Sequence, residues 1–224
     1  WHWFIFGGSV LAPFLLGVLF TSIVRGMPID ENMTMWATFT DYVNVYSVVG
    51  GLAVVLLTLV HGLTFIGLRT TGPVHTRALA LLKKVYIALF AGLVVFAVLT
   101  YFNTDLFTVR PVATPVFLVC IVLAAVLGFI FANKGKEGWA FTMSGLTIVL
   151  TVAMLFVGLF PRVMISSIDP AFNLTIDNAA SGQYTLSLMT KISLTLLPFV
   201  LGYQIWSYYI FRKRISHKDT VNYE

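Results

Sequence analysis

The chain has 224 residues, of which 58% are hydrophobic and only 10% charged, and its mean hydropathy is +0.91. An ordinary soluble domain carries roughly 25% charged residues, so a soluble fold of this length would expose more apolar surface than water tolerates, and lipid must be the solvent for most of the chain. The net charge of +5 does not point to nucleic acid, because the Lys and Arg residues sit between apolar runs, where they set membrane topology.

A helix needs about 20 apolar residues to cross the hydrocarbon core. Runs at residues 3–24, 45–68, 85–101, 114–132, 140–160 and 192–211 qualify, giving six predicted spans. Helix is the state open to them, because lipid offers the backbone no hydrogen-bond partner. The first run starts behind Trp1-His2 with no charged segment before it, unlike a cleavable signal peptide. The expectation is a natural N-terminus further upstream. Pro13 in this run and Pro198 in the last are expected to kink their helices, and Gly7, Gly8, Gly50 and Gly51 to permit close helix contact. The third run is short and could begin at Leu79, with Lys83 and Lys84 snorkelling to the interface. The fourth holds Cys120, the one cysteine, which can form neither an intrachain disulfide nor a metal site by itself. No internal repeat emerges along the chain.

The connecting segments sort by charge. Ten cations fall on one side: Arg69, Arg77, Lys83, Lys84, Lys134, Lys136, Arg212, Lys213, Arg214 and Lys218. Four fall on the other: Arg25, Arg110, Arg162 and Lys191. The split alternates as an even number of spans requires, so both ends of the chain are expected in the cytoplasm. The opposite loops, residues 26–44, 102–113 and 161–186, carry Asp30, Glu31, Asp41, Asp105, Asp169 and Asp177. Trp1, Trp3, Trp36, Trp139, Trp206, Tyr208 and Tyr209 fall near span ends, as interfacial aromatics do.

The predicted span interiors contain no Asp, Glu or Arg. An ionised group at mid-bilayer costs about 2.5–3.5 kcal/mol on insertion scales and is seldom accidental, so its absence argues against this chain alone being a proton or ion pump. His61 is the exception, eight residues before Arg69 and so about 12 Å from the cytoplasmic end. Three roles are open to it: an interhelical hydrogen bond, a quinone contact or polar path, or haem ligation. The last lacks a second histidine within a span, since His2, His75 and His217 are expected in loops. Asn44, Tyr46, Asn103 and Gln204, near span ends, are expected to be satisfied by backbone or water. No Walker loop, dinucleotide fingerprint, HExxH or paired CxxC is present, and no residue is assigned a catalytic or metal-binding role. The residues alone lead to an all-α polytopic transmembrane bundle, a single domain poor in chemistry of its own.

Two loop segments go further. One reads Gly17-Val18-Leu19-Phe20-Thr21-Ser22-Ile23-Val24-Arg25-Gly26-Met27-Pro28-Ile29-Asp30-Glu31-Asn32 and continues through Asp41, Asn44, Tyr46, Gly50-Gly51, His61-Gly62, Leu68-Arg69-Thr70, Gly72 and Arg77. The other joins Phe160-Pro161, Asn173-Leu174-Thr175-Ile176, Asn178-Ala179-Ala180-Ser181 and Thr185-Leu186 to Pro198, Tyr203, Trp206 and a basic tail. Together they resemble subunit II of the bacterial cytochrome bd quinol oxidases along essentially the whole chain. Members of that family are longer, with further helices ahead of the point where Trp1 falls, so the chain is similar to about the C-terminal two-thirds of one.

The resemblance implies a haem-free subunit packed against a subunit I that carries the b-type haems and haem d. The complex oxidises quinol and reduces oxygen to water in the bacterial plasma membrane. On this view the chain binds no cofactor directly, and is an oxidoreductase subunit without catalytic residues of its own. His61 is then its one candidate for a quinone contact or polar path, and the family leaves room for a structural quinone and a small single-helix subunit. The acids that family members use for proton access lie in the part ahead of Trp1. The competing expectation is a fragment of a secondary transporter, which the missing repeat and the missing intramembrane charges disfavour.

Overall fold

The computed structural model describes residues 1–211, so the basic tail residues Arg212, Lys213, Arg214 and Lys218, and His217 with them, lie outside the described residues. Six helices are long and apolar enough to cross a membrane. They are α1 (His2–Arg25), α3 (Val45–Arg69), α4 (Pro73–Asn103), α6 (Ala113–Asn133), α7 (Glu137–Leu159) and α8 (Gln183–Ile210). Two single-turn helices, α2 (Phe39–Tyr42) and α5 (Leu106–Val109), and a two-stranded sheet, β1 (Arg162–Met164) with β2 (Leu174–Thr175), belong to the loops.

Helices α4 and α8 begin well ahead of the apolar runs that predict them. α4 starts at Pro73, whose fixed φ suits the first helical position, behind Gly72 at φ +75°. Its first turns are amphipathic: Ala78 and Leu82 are buried while Arg77, Lys83 and Lys84 face outward. An apolar-run criterion cannot see such a stretch, and these cations stand on a helix instead of in a loop. α8 likewise starts at Gln183 and takes in Lys191. Pro13 and Pro198 both lie inside continuous helices.

Helices α3, α4, α6 and α7 pack into a four-helix block, and the C-terminal half of α1 lies on α3. Lipid supplies no hydrophobic drive between helices, so close packing of small residues has to supply the attraction. α6 offers Ala124, Ala125, Gly128 and Ala132 to the interior, and α7 offers Ala140, Ser144, Thr147, Thr151 and Gly158. The tightest crossing is α1 on α3. A Cβ on Gly17 would lie 2.7 Å from Gly50 O and 2.8 Å from Gly51 Cα, one on Gly50 2.3 Å from Thr21 Cγ2, and one on Gly51 2.7 Å from the Phe14 ring. Gly50 and Gly51 thus do what the sequence suggests. Gly7 and Gly8 do not: nothing stands within 4 Å of either, because the first half of α1 extends past the block with its residues exposed.

At the acid-bearing end the loops form a cap. Met27 N–H donates to Ile165 O at 2.9 Å, Ser167 N–H to Met27 O at 2.8 Å, and the Ser166 hydroxyl to Ile29 O at 2.8 Å, with Met27 and Ile29 buried between them. Arg162 grips Asp105 with both terminal nitrogens, one of them at 3.0 Å. Arg110 donates to Phe160 O at 2.9 Å. Asp30 ties its own loop by accepting from Asn32 N–H and Thr34 N–H, each at 2.9 Å, and from the Trp36 indole at 2.8 Å. These bonds, the indole's first, hold its carboxyl below the usual range. The hydroxyl and amide of Thr38 do the same for Asp41 at the start of α2.

Candidate functional site

The polar groups inside the helical block gather at the seam between α3 and α7. His61 is half-buried there, and its Nδ1 lies 2.9 Å from Ser144 Oγ. Thr64, one turn along α3, reaches the same Ser144 oxygen at 3.1 Å and donates to His61 O at 2.8 Å. Ser144 donates to Phe141 O at 2.8 Å. The imidazole stacks on Phe141 with centroids 4.5 Å apart and planes 22° apart, and Phe65 lies tilted against the same ring. Gly145 makes room for it: a Cβ there would lie 3.4 Å from His61 Cε1. The interhelical hydrogen bond considered for His61 therefore exists, and Ser144 is its partner.

One helical turn from His61 and Gly145, at Thr58 and Ile148, a cavity of about 140 Å³ opens between α1, α3, α4 and α7. Its wall is nearly all apolar, with Phe20, Leu57, Phe96 and Leu155 around it. The three threonines that line it, Thr21, Thr58 and Thr151, give their hydroxyl hydrogens to Gly17 O, Val54 O and Thr147 O of their own helices. A cavity with no free polar group stays dry. This space fits one six-membered ring; a cavity of about 150 Å³ holds benzene. It does not fit a porphyrin, and no histidine among the described residues lines it, so this cavity does not fit a haem.

The other polar groups near span ends serve structure. Asn44 caps α3 in a reciprocal box with Ser47, Tyr46 Oη lies 3.2 Å from Thr100 Oγ1, and Asn103 donates to Leu99 O at 2.9 Å. Gln204 is exposed on α8. His75, placed outside the spans by sequence, stands in the first turn of α4 and pairs with Glu137 in the first turn of α7, closing the block at its cationic end. Sequence reasoning missed Ser144, Thr64 and Glu137 as partners. A signal for the first was present: Ser144, Thr147 and Thr151 recur at the spacing of one helix face.

The family described as cytochrome bd terminal oxidase subunit II matches residues 1–211. The chain is 50% identical to the Bacillus subtilis cytochrome bd ubiquinol oxidase subunit 2 over 223 residues, which is 100% of this chain and 66% of that protein. It is 28% identical to the Escherichia coli cytochrome bd-I ubiquinol oxidase subunit 2, covering 98% of this chain and 66% of the relative. A probable cytochrome oxidase subunit 2 of Haemophilus influenzae is 25% identical over 93% of this chain and 64% of its own length. The chain thus spans about two-thirds of the length of the curated relatives it matches.

Proposed function

This chain belongs to the cytochrome bd terminal oxidase subunit II family, and from that premise we propose that it is the haem-free half of a quinol oxidase. In that complex it packs against a haem-bearing subunit I in a bacterial plasma membrane, with both ends of the described chain in the cytoplasm. The complex oxidises quinol and passes the electrons to oxygen, which is reduced to water. The b-type haems and haem d are then held by the partner, and a small single-helix subunit would complete the assembly.

The observation that carries the proposal is the family match over residues 1–211, on spans almost free of ionisable side chains. Haem ligation and proton delivery need iron ligands and buried acids, so in such a complex they come from outside these spans. Helix α8 adds support. It is the least apolar of the six, carries Lys191 and Gln204, and buries none of its residues against the other described residues. Polar groups on a membrane helix call for protein neighbours. The transporter alternative finds nothing comparable in its favour.

The test is a reduced-minus-oxidised difference spectrum on the complex pulled down through the full-length parent chain. A haem d band in the far red beside b-haem bands is the expected result. A haem-free pull-down, or a haem-loaded oxidase purified without this chain, would overturn the proposal.

A further inference from the structure

The dry cavity between α1, α3, α4 and α7 has a neighbour. Nearer the acid-bearing end, a second cavity of about 140 Å³ lies between α1, α7 and β1. Every side chain that lines it among the described residues is apolar, Val24, Leu159 and Val163 among them. Phe20 and Leu155 line both cavities, so the two are strung along the α1–α7 seam with these residues between them. Phe20 also meets Phe156 across that seam edge to face, with centroids 5.7 Å apart. On the first cavity's rim, Leu16, Thr58 and Val152 are exposed among the described residues, so the series opens out of the block at membrane depth.

Spaces of this kind select by what they refuse. A water molecule needs about two to four polar partners, and the three threonines of the first cavity have given their hydrogens to their own helices. An ion would lose its hydration with nothing in exchange. A ring that carries carbonyl or hydroxyl groups would bring them to a wall without a free donor. A small molecule with no polar group meets none of these penalties, and an apolar cavity of about 150 Å³ takes benzene or xenon. We propose that the two cavities hold dioxygen inside the membrane part of the oxidase. It enters from the hydrocarbon at Leu16, Thr58 and Val152, and passes toward the outer end when the Phe20 and Leu155 side chains turn aside. This rests on the chain's place in an oxygen-reducing complex and adds a site to it. Dioxygen is apolar and smaller than benzene, and it favours hydrocarbon over water for the same reason that any apolar solute does, so an opening at membrane depth meets it where it is most concentrated.

The experiment uses the assembled, full-length complex, with xenon as the apolar probe and dioxygen as the substrate. Crystals pressurised with xenon are expected to show it in both cavities. Ala53→Leu fills the first cavity and Ile23→Phe the second, and each variant excludes xenon from its own cavity. With the haem bands and kcat at saturating oxygen unchanged, kcat/KM for dioxygen falls at least about threefold in either variant, while kcat/KM for quinol stays at the wild-type value. Phe20→Ala disturbs the same packing but joins the cavities, so it leaves kcat/KM for dioxygen at or above the wild-type value. A fall there as deep as in the filled variants would assign the loss to packing and overturn the proposal. Xenon kept out of the wild type by a lipid acyl chain, or excluded from variants that still use dioxygen as well as the wild type does, would overturn it too. A wild-type complex without haem would instead overturn the oxidase assignment.

Discussion

Helices α3 and α8 are similar in length and both predicted to span the membrane, yet they meet opposite surroundings. α3 buries Gly50, Gly51, Ala53, Gly67 and six further residues against α1, α4 and α7. Its polar groups are matched within the chain: Asn44 by Ser47, Tyr46 by Thr100, His61 by Ser144. Among the described residues α8 buries nothing, although it carries Lys191, Gln204 and several hydroxyls. Lipid solvates leucine as well as another helix does, so exposure alone says little about an apolar helix. It says more about a helix with amide and ammonium groups. The contrast divides the chain into a part whose contacts are complete, centred on α3, and a part whose polar groups call for neighbours from elsewhere.

The strongest way to break the complete part is at the α1–α3 crossing. Gly17→Val puts atoms where Gly50 O and Gly51 Cα already stand. Backbone cannot swing aside as a side chain does, so the helices must separate, at a cost near the upper end of the range for overpacking, about 3 kcal/mol. Denaturation of the detergent-solubilised full-length protein should show it. Gly7→Val, on the same helix but in open space, should fall within about 0.5 kcal/mol of wild type. Equal effects at the two positions would mean that the crossing is not where α1 is held.

A smaller effect, of opposite sign, is expected inside the block. Tyr86 is 1% exposed, and its hydroxyl has no hydrogen-bond partner among the described residues. It points at Gly128, where a Cβ would lie 2.6 Å away. A buried hydroxyl without a partner costs about 1–3 kcal/mol. Tyr86→Phe keeps the aromatic contacts with Phe90 and Phe129 and removes that cost, so it should raise the unfolding free energy by about 1 kcal/mol. A loss of stability in the same measurement would show that the hydroxyl is satisfied in the assembled protein.

The division between the two parts was only partly legible in the sequence. The apolar runs located all six spans because lipid demands about 20 apolar residues whatever a helix packs against. The same criterion failed at Pro73 and Gln183, where each helix begins ahead of its apolar run, in α4 on an amphipathic pattern. Gly50-Gly51 signalled a close crossing, but the sequence could not separate them from Gly7-Gly8, since the difference lies in where the partner helix runs. His61 stood out for its depth. Its partner Ser144 lies 83 positions away, and nothing local to either residue encodes that pairing. The cap's Asp105–Arg162 pair, from two separate loops, was hidden for the same reason.

Outside the membrane the expected effect is local. The Trp36 indole and two loop amides hold the Asp30 carboxyl below its usual 3.8. A group whose pKa is depressed on folding contributes its stability above the unfolded value and loses it as the pH falls through the lower folded value. The turn at residues 30–36 should therefore stay closed at neutral pH and loosen only below about pH 3.8. The Trp36 indole N–H resonance reports it directly. Its loss from the bonded position near pH 6 would mean that Asp30 is not its acceptor.

The smallest change expected in the chain itself is the one that says most about α8. Gln204 is exposed, and no hydrogen bond to it is formed by the described residues. Gln204→Leu should therefore leave the stability of this chain alone within about 0.5 kcal/mol. Its effect on the complex depends on what lies against α8. Were that lipid, the residue would meet the same surroundings in the assembled and the separated subunits, and dissociation would be unchanged. Were it another subunit's helix, the amide would be engaged across the interface. Its loss would then weaken assembly by about 0.6 kcal/mol, the average for such bonds between membrane helices, up to about 1.7. Subunit dissociation of the purified complex in rising detergent distinguishes the two, and a weakened complex is the outcome expected here, because a helix that carries Lys191 and Gln204 without cover from the described residues is a poor match for lipid on every face.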